Sequence, residues 1–400
     1  MKKVLIIIRS LAHGGAEKSL VSFLNTVDKE ILHDNEITVD LLLTQRNQFF
    51  EYQLPDYVNV IECPFDYAAY CNSLKSLMND KNRFSLGCFL RKVYSCLVKK
   101  TLGKYTELAS GEIQWKYVGR TLKRFPDEYD VAMAYFHDAS AYYLIDKIEA
   151  KKKIIWIHNE YGKLGYNDEF ERGYYSRADK IITISDRCVE SFTKHFPELR
   201  NKVEMIENIS SRVLINKMAG NQIPEEFKKE TVNILSVGRL CEQKGYDIGI
   251  EAFRHIQNIE VPYHWYIMGA GEKEIELKAR ISKYGLQNRI TLLGLRSNPY
   301  PYIKYCNIFF QPSRYEGKSI ALDEAMILER PIVVTAYDTA MDSIKDGLNG
   351  KICGMSSEEV AEGLSELIAN VQLREKYAAQ LHIEKHGNEN EIEKYYELMR

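Results

Sequence analysis

The chain is short of the patterns that commit a protein to a metal centre, a membrane span or a nucleic acid. Its eight cysteines, at 63, 71, 88, 96, 188, 241, 306 and 353, are scattered, with no Cys-x-x-Cys pair and no histidine at ligand spacing. That pattern excludes the usual zinc arrangements and reads as packed, reduced thiols of a cytoplasmic protein. No stretch approaches the ~18 apolar residues of a membrane span. Met1-Lys-Lys-Val-Leu-Ile-Ile-Ile8 opens like a signal segment, but Arg9 ends the apolar run too early for one. A formal net charge of only −2 argues against bulk nucleic-acid binding. Internal repeats and low-complexity tracts are also missing, which excludes solenoids and disordered arrays.

What remains is an ordinary globular composition, 45% hydrophobic and 28% charged, spread over 400 residues. Single cores stop growing near ~250–300 residues, so two domains are expected. Val4 to Ile8 is a continuous, mostly β-branched run, the mark of a strand buried on both faces of a parallel sheet. A glycine loop, Arg9 to Glu17, and an amphipathic helix from Ala16 to Val27 follow it. Further strands are expected at 37–43, 58–61, 131–135, 154–158, 180–184 and 203–206. Helices fall between them at 139–148, 170–176 and 186–195. Ile209 to Lys229 is polar and irregular and reads as a linker.

Alternation then restarts with strands at 233–237, 265–268, 290–293, 306–310 and 332–335, and helices at 246–257, 273–284, 357–369, 373–384 and 389–399. Such alternation means an α/β fold of parallel sheets. The expected architecture is two Rossmann-like, doubly wound parallel-sheet domains facing across a cleft. The first spans 1–209 and the second 210–385, with 386–400 a final helix packing back on the first.

One segment breaks the alternation. Between Lys81 and Arg124 stand eleven basic residues and two acidic ones, with Phe84, Phe89, Tyr94, Tyr105, Trp115 and Tyr117 interleaved. A basic, aromatic, helical insertion of this kind fits docking on an anionic membrane surface; a solvated face packed on its own domain is the alternative.

Pro312 to Val334 carries the densest chemistry. An apolar strand ending at Phe310 turns at Pro312 and passes Glu316-Gly317. It then enters a helix with Ile320, Leu322, Ala325, Met326 and Leu328 at helical spacing, which Pro331 ends. The amides of Gly317, Lys318, Ser319 and Ile320 fall at that helix's N-terminus, where backbone N–H groups and the helix dipole favour an anion. Glu316 in the loop and Glu324 on the helix flank them. Two carboxylates around a phosphate cradle suit a ligand with hydroxyls at both ends and a diphosphate between, as in a nucleotide-sugar.

Three motifs occur in one order: Gly14-Gly15-Ala16-Glu17 after the first strand, Gly238-Arg239 with Lys244-Gly245 in the second half, and Pro-Ser-x-x-Glu316-Gly with Glu324 near the end. Together they resemble the retaining glycosyltransferases of family 4, the glycosyl transferases group 1 with the GT-B fold. The resemblance covers nearly the whole chain and explains 81–124 least. It implies that Glu316 contacts the donor sugar and that Glu324 holds the ribose hydroxyls. Arg239 and Lys244 would neutralise the leaving diphosphate, and Gly14 and Gly15 would let backbone approach it. His158 would interact with the transferred sugar, while Gly269, Gly271 and Gly294 line the base pocket. Many members have Glu-Gly-Phe-Gly where this chain has Glu316-Gly317-Lys318-Ser319, which leaves the donor sugar open.

There is no Asp-x-Asp motif, and the family leads one to expect neither metal nor cofactor. The implied partners are a UDP- or GDP-sugar donor, a glycan or polyprenyl-diphosphate-linked acceptor, and an anionic membrane through 81–124. The implied place is the cytoplasm, at the inner face of the membrane, in surface-polysaccharide assembly. A sugar-nucleotide epimerase or hydrolase of the same plan, and an idle nucleotide-binding scaffold, remain as alternatives.

Overall fold

The computed structural model describes residues 2–12, 14–46, 48–72, 86–102, 106–256, 259–316 and 319–400. Gly317 and Lys318, and 81–85 and 103–105 of the basic insertion, lie outside the described residues. The chain divides into two compact units, Met1–Ile209 with Asn390–Arg400, and Ser210–Glu389.

In the first unit seven strands form one parallel sheet: β1 Lys2–Ile8, β2 Ile37–Leu43, β3 Val58–Ile61, β4 Glu128–Ala134, β5 Glu149–Ile157, β6 Lys180–Thr183 and β7 Val203–Met205. Their spatial order is β3-β2-β1-β4-β5-β6-β7, so the chain winds outward in both directions from β1 and β4. The apolar run of β1 serves two cores. Val4, Ile6 and Ile8 pack with Phe23 and Leu24 on one face. Leu5 and Ile7 pack with Tyr143 and Trp115 on the other. Helix Ile392–Met399 buries Tyr395, Tyr396, Leu398 and Met399 in the first of these cores. Tyr395 stacks on Phe23 at 4.3 Å, and its hydroxyl donates to Glu207 O at 3.0 Å.

The second unit has its own parallel sheet: β8 Val232–Val237, β9 Tyr263–Met268, β10 Ile290–Gly294, β11 Ile308–Gln311, β12 Ile332–Thr335 and β13 Lys351–Cys353, in the order β10-β9-β8-β11-β12-β13. Here Ile234 faces one core and Leu235 the other, the same two-sided burial as in β1.

Two expectations need correction. The stretch 209–229 is not an irregular linker. It holds helix Arg212–Ala219, capped by Ser211, with Ile215, Ala219 and Phe227 buried in the core of the second unit. These inward apolar positions are too few to show a period. The basic insertion is also not one lipid-facing surface. Ile113, Trp115, Val118, Leu122 and Phe125 are core residues of the first unit. Among the insertion's described residues, Leu90, Tyr94 and Leu97 on the outer face of helix Leu86–Leu102, and Tyr117, keep large apolar side chains in solvent.

Candidate functional site

The second unit gathers its candidate residues at the carboxyl ends of four adjacent strands, β10, β9, β8 and β11, where parallel sheets place ligands. Backbone bonds sew the loops there to one another: Gly238 N to Met268 O at 3.0 Å, Leu240 N to Ala270 O at 3.0 Å, and Gly269 N to Gly294 O at 3.0 Å. Gly269 is required at this seam, because at φ +150° a Cβ would collide with Gly238 O. Gly271 likewise packs against the Leu240 backbone, so both glycines close the seam rather than open a pocket. Gly294, at φ +69°, faces open space.

Beyond Gly238 and Arg239 the chain makes a 3-10 turn, Glu242–Lys244, and then starts helix Tyr246–His255 through Gly245. At φ +60° Gly245 is left-handed, and a Cβ there would strike Pro312 O. This close approach lays Lys244 against the Pro312–Glu316 loop. Lys244 Nζ donates to Glu316 Oε1 at 2.6 Å, and the two side chains are 16% and 6% exposed. Ser313 Oγ donates to the same oxygen at 2.6 Å, and Gln243 Nε2 to Oε2 at 3.2 Å. Thr339 Oγ1 holds the Glu316 carbonyl at 3.1 Å. Both carboxylate oxygens are therefore satisfied, and the carboxylate is fixed in place.

Arg314 ties this loop down from the other side. Its guanidinium clasps both oxygens of Asp247, at 2.8 and 2.7 Å, and reaches Glu242 O at 2.9 Å. Burial pushes the Asp247 carboxyl up, but the bonds and charge of Arg314 hold it below the usual range. Arg239, by contrast, is exposed, and its side chain makes no hydrogen bond or ion pair with any described residue. One cation is thus committed to the carboxylate and its neighbour on the same loop is free for an anion.

Ser319 caps helix Ile320–Ile327, accepting from Leu322 N at 3.4 Å and donating to Gln311 Oε1 at 2.7 Å. Gln311 in turn donates to the Tyr337 hydroxyl at 3.0 Å. Glu324 lies one turn further along, 2% exposed, and accepts from the Tyr300 hydroxyl at 3.1 Å. Burial and then the Glu324 charge raise the Tyr300 phenol, which keeps it a donor. The structure thus gives Glu324, to which the resemblance assigns the ribose hydroxyls, an inward partner.

In the first unit, strand ends again collect the candidates. Gly14 caps helix Gly15–Thr26 in ordinary extended geometry, and the Glu17 carboxylate folds back against its Cα. The parallel register of Ala134 with Ile155 carries His137 and His158 out beside each other beyond β4 and β5. His158 Nε2 contacts Tyr135 O at 3.0 Å. A carbonyl only accepts, so Nε2 carries the proton and Nδ1 presents a lone pair. Nδ1 of His158 and Nδ1 of His137 are buried without a partner among the described residues. Burial, and then the neighbouring His137, lower His158 to about 3. Burial lowers His137 to about 4. Both imidazoles are neutral at physiological pH.

Residues 220–381 match the family described as Glycosyl transferases group 1. That match lies within the second unit, and there the chain is similar to the group 1 glycosyltransferases. One relative, the N-acetylgalactosamine-N,N'-diacetylbacillosaminyl-diphospho-undecaprenol 4-alpha-N-acetylgalactosaminyltransferase of Campylobacter jejuni, is 24% identical over 94% of this chain and 93% of its own. Another, an uncharacterised glycosyltransferase of Methanocaldococcus jannaschii, is 28% identical over 47% of this chain, and the chain spans about half of it, 49%. Among solved structures, that of Anabaena HepE in complex with UDP and glucose superposes with a TM-score of 0.65 at 18% identity, covering 99% of this chain and 98% of that one. Staphylococcus aureus TarM gives 0.64 at 15% identity, with 100% of both chains covered. At such identities the likeness is one of fold, and the fold is GT-B.

The sequence missed the residues that position Glu316. Ser313, Arg314, Gln243, Asp247 and Thr339 are each common loop or helix types. Only the fold brings 242–247 against 311–316. The one available signal was the glycine after Lys244, which marks a tight approach without saying to what.

Proposed function

We propose that the chain is a retaining glycosyltransferase. It takes a hexosyl group from a UDP- or GDP-sugar and gives it to a hydroxyl of a glycan or of a polyprenyl-diphosphate-linked oligosaccharide, in assembly of a surface polysaccharide. The observation that carries this reading is the Glu316 carboxylate, held by Lys244, Ser313 and Gln243, with the Arg239 side chain free on the loop that carries Lys244. A fixed carboxylate is an acceptor for sugar hydroxyls, and preplaced cations stabilise a diphosphate whose charge grows as the glycosidic bond breaks. The Campylobacter relative's lipid-linked acceptor supports the acceptor class, and the UDP complex of HepE supports the donor class.

In this mechanism Arg239, with its fork of donors, and Lys244, as a point charge, meet the diphosphate oxygens. Glu316 orients the sugar through its hydroxyls, and Glu324 is assigned to the ribose. His158 accepts a hydrogen bond from the transferred sugar through its bare Nδ1. The leaving phosphate assists removal of the acceptor proton on the same face, so the anomeric configuration is kept. The cations do the work a metal does elsewhere, so EDTA is expected to leave the rate unchanged. No helix among the described residues is long and apolar enough to cross a membrane. We assign the chain to the inner surface of the cytoplasmic membrane, held through the outer face of helix Leu86–Leu102.

The test is proton NMR of the anomeric centre during turnover of UDP- and GDP-sugars. Retention supports the assignment, and an inverted product removes it. Release of free nucleoside diphosphate without any acceptor product identifies the hydrolase instead.

A further inference from the structure

Tyr135 stands directly after β4, fully buried, and each of its three polar groups is bonded to a different part of the first unit. Its N–H donates to Ile7 O, near the end of β1, at 2.9 Å. Its carbonyl accepts from His158 Nε2 at 3.0 Å. Its hydroxyl lies 2.9 Å from Ser19 Oγ, on helix Gly15–Thr26. Ser19 Oγ donates its one proton to Asn208 Oδ1 at 2.6 Å, so the tyrosine is the donor in the other contact. Burial raises the Tyr135 phenol, which keeps that proton in place. Ile7 precedes the glycine loop and Ser19 follows it. One residue therefore fastens both ends of the loop that carries Gly14 and Gly15, and it also holds His158.

The surroundings of that hydroxyl are apolar. Tyr135 belongs to the core formed with Ile8, Leu20, Phe23, Trp156 and Tyr395. Its ring lies 4.7 Å from that of Trp156 and 5.0 Å from that of His158. Trp156 rests in turn on Tyr395 at 5.1 Å. Ser19 and Asn208 are buried as well. A chain of three buried polar groups contributes little to stability over apolar groups of the same shape. What it supplies is one fixed geometry, because a satisfied hydrogen-bonded chain in a core rigidifies it and specifies a single arrangement. Apolar contacts are non-directional and do not by themselves set where helix Gly15–Thr26 sits along the sheet. The bond from Tyr135 to Ser19 does.

We propose that Tyr135 is a positioning residue of the transfer reaction, whose hydroxyl, through Ser19, fixes the Gly14–Gly15 backbone relative to the His158 imidazole. The inference rests on the proposed transferase, in which that backbone approaches the leaving diphosphate and His158 Nδ1 meets the transferred sugar. These two contacts act on opposite sides of the bond that breaks. Their spacing decides whether both are made together in the transition state, where alone they accelerate the reaction. A misplacement of about 1 Å, even from a change far from the chemistry, costs about 100-fold in rate. Tyr135, fully buried, acts only through the two groups it holds.

The experiment compares Tyr135→Phe, Ser19→Ala and the double variant in the full chain. Tyr135→Phe keeps the ring, the N–H and the carbonyl. It leaves Ser19 donating to Asn208, so no buried donor is stranded and the melting temperature is expected near that of the wild type. Its kcat is expected to fall about 10- to 100-fold with the donor KM little changed. Ser19→Ala removes the same bond from the other side and melts lower, because the Tyr135 hydroxyl and Asn208 Oδ1 both lose it as a partner. Its kcat is expected to fall equally, and the double variant to lose no more than either. Nitrogen-15 order parameters of the Gly14 and Gly15 amides, which need no turnover, are expected to drop in Tyr135→Phe while those of β1 and β4 hold. Full kcat in Tyr135→Phe, losses that multiply in the double variant, or unchanged order parameters would overturn the proposal. A wild-type chain that transfers no sugar from any donor sinks the transferase reading instead, and the order parameters then decide the positioning by themselves.

Discussion

Lys244 Nζ stands 2.6 Å from Glu316 Oε1, and neither side chain is more than 16% exposed. The resemblance assigns one residue to the donor's diphosphate and the other to its sugar, yet the structure makes them partners. Removing Lys244 therefore acts on the carboxylate as well as on the diphosphate. A buried pair that loses one member leaves an uncompensated charge, at a cost of about 3–5 kcal/mol. Ser313 and Gln243 still hold the carboxylate, so Lys244→Met is expected near the lower end. Thermal melts should show this, together with a kcat lowered by about 100-fold or more. Glu316→Gln, which keeps an oxygen for Lys244 and Ser313 and loses only the Gln243 contact, should cost less stability and as much activity.

Arg314 gives a prediction of a different kind, because it touches no proposed substrate atom. It positions Glu316 by clasping Asp247 through both oxygens. Arg314→Met is expected to cost about 1–3 kcal/mol and to lower kcat more than it raises the donor KM, since the loop stays present but is no longer fixed. Asp247 has a carboxyl held below its unfolded value, so its contribution is complete above that unfolded value, about 4, and is lost as pH falls through the lower folded one. Asp247→Asn should flatten that part of the acid limb of a melting-temperature profile. An unaltered profile in Asp247→Asn would remove the clasp from the account.

Much of the scaffold was legible because burial on both faces leaves long apolar runs. The run at β1 and the run at β11 announce themselves, and strand 37–43 and helices 186–195 and 357–369 agree with their expected bounds. Short elements were not legible. Helix Tyr300–Tyr305 begins with prolines and has too few turns to show a period, and β13 is three residues long. At the site, the glycines and charged residues were visible as types at fixed spacings, but their pairings were not. Nothing in a linear spacing tells that Lys244 and Glu316 share a bond, or that Tyr300 closes over Glu324. Such contacts depend on which strands neighbour each other, here β8 beside β11.

The first unit holds titrating groups that pull stability in opposite directions. Burial raises the Glu171 carboxyl to about 8, even though the Tyr142 hydroxyl donates to it. A folded value above the unfolded one stabilises at low pH, and the benefit fades as pH rises from about 4.5 through about 8. His137 and His158, at about 4 and about 3, behave the other way. The unfolded chain takes up protons below about 6.5 that the folded chain refuses, so stability falls as pH drops from there. Glu171→Gln, which stays neutral and keeps an acceptor for Tyr142, should abolish the alkaline loss and leave the acid loss intact. His137→Phe should reduce the acid loss alone. Melting temperatures from pH 5 to 9 separate the two, and a Glu171→Gln profile that still falls between pH 7 and 9 would contradict the assignment.

Arg239 offers the sharpest separation of function from stability, because it is exposed and its side chain is bonded to no described residue. Its neighbour on the loop, Lys244, is fastened to Glu316, so the two cations of the Gly-Arg-x4-Lys stretch play unlike parts in the ligand-free chain. Exposed substitutions without partners change stability by only about 0.5 kcal/mol. Arg239→Ala should therefore melt with the wild type while losing about 100-fold in kcat, the scale expected when one donor to a developing anion is removed. Arg239→Lys keeps the charge but not the fork, and is expected to fall between them. Nucleoside-diphosphate product inhibition should weaken in parallel, since product and transition state share that group. If Arg239→Ala retains full kcat, the anion meets only Lys244, and the free guanidinium is a surface residue.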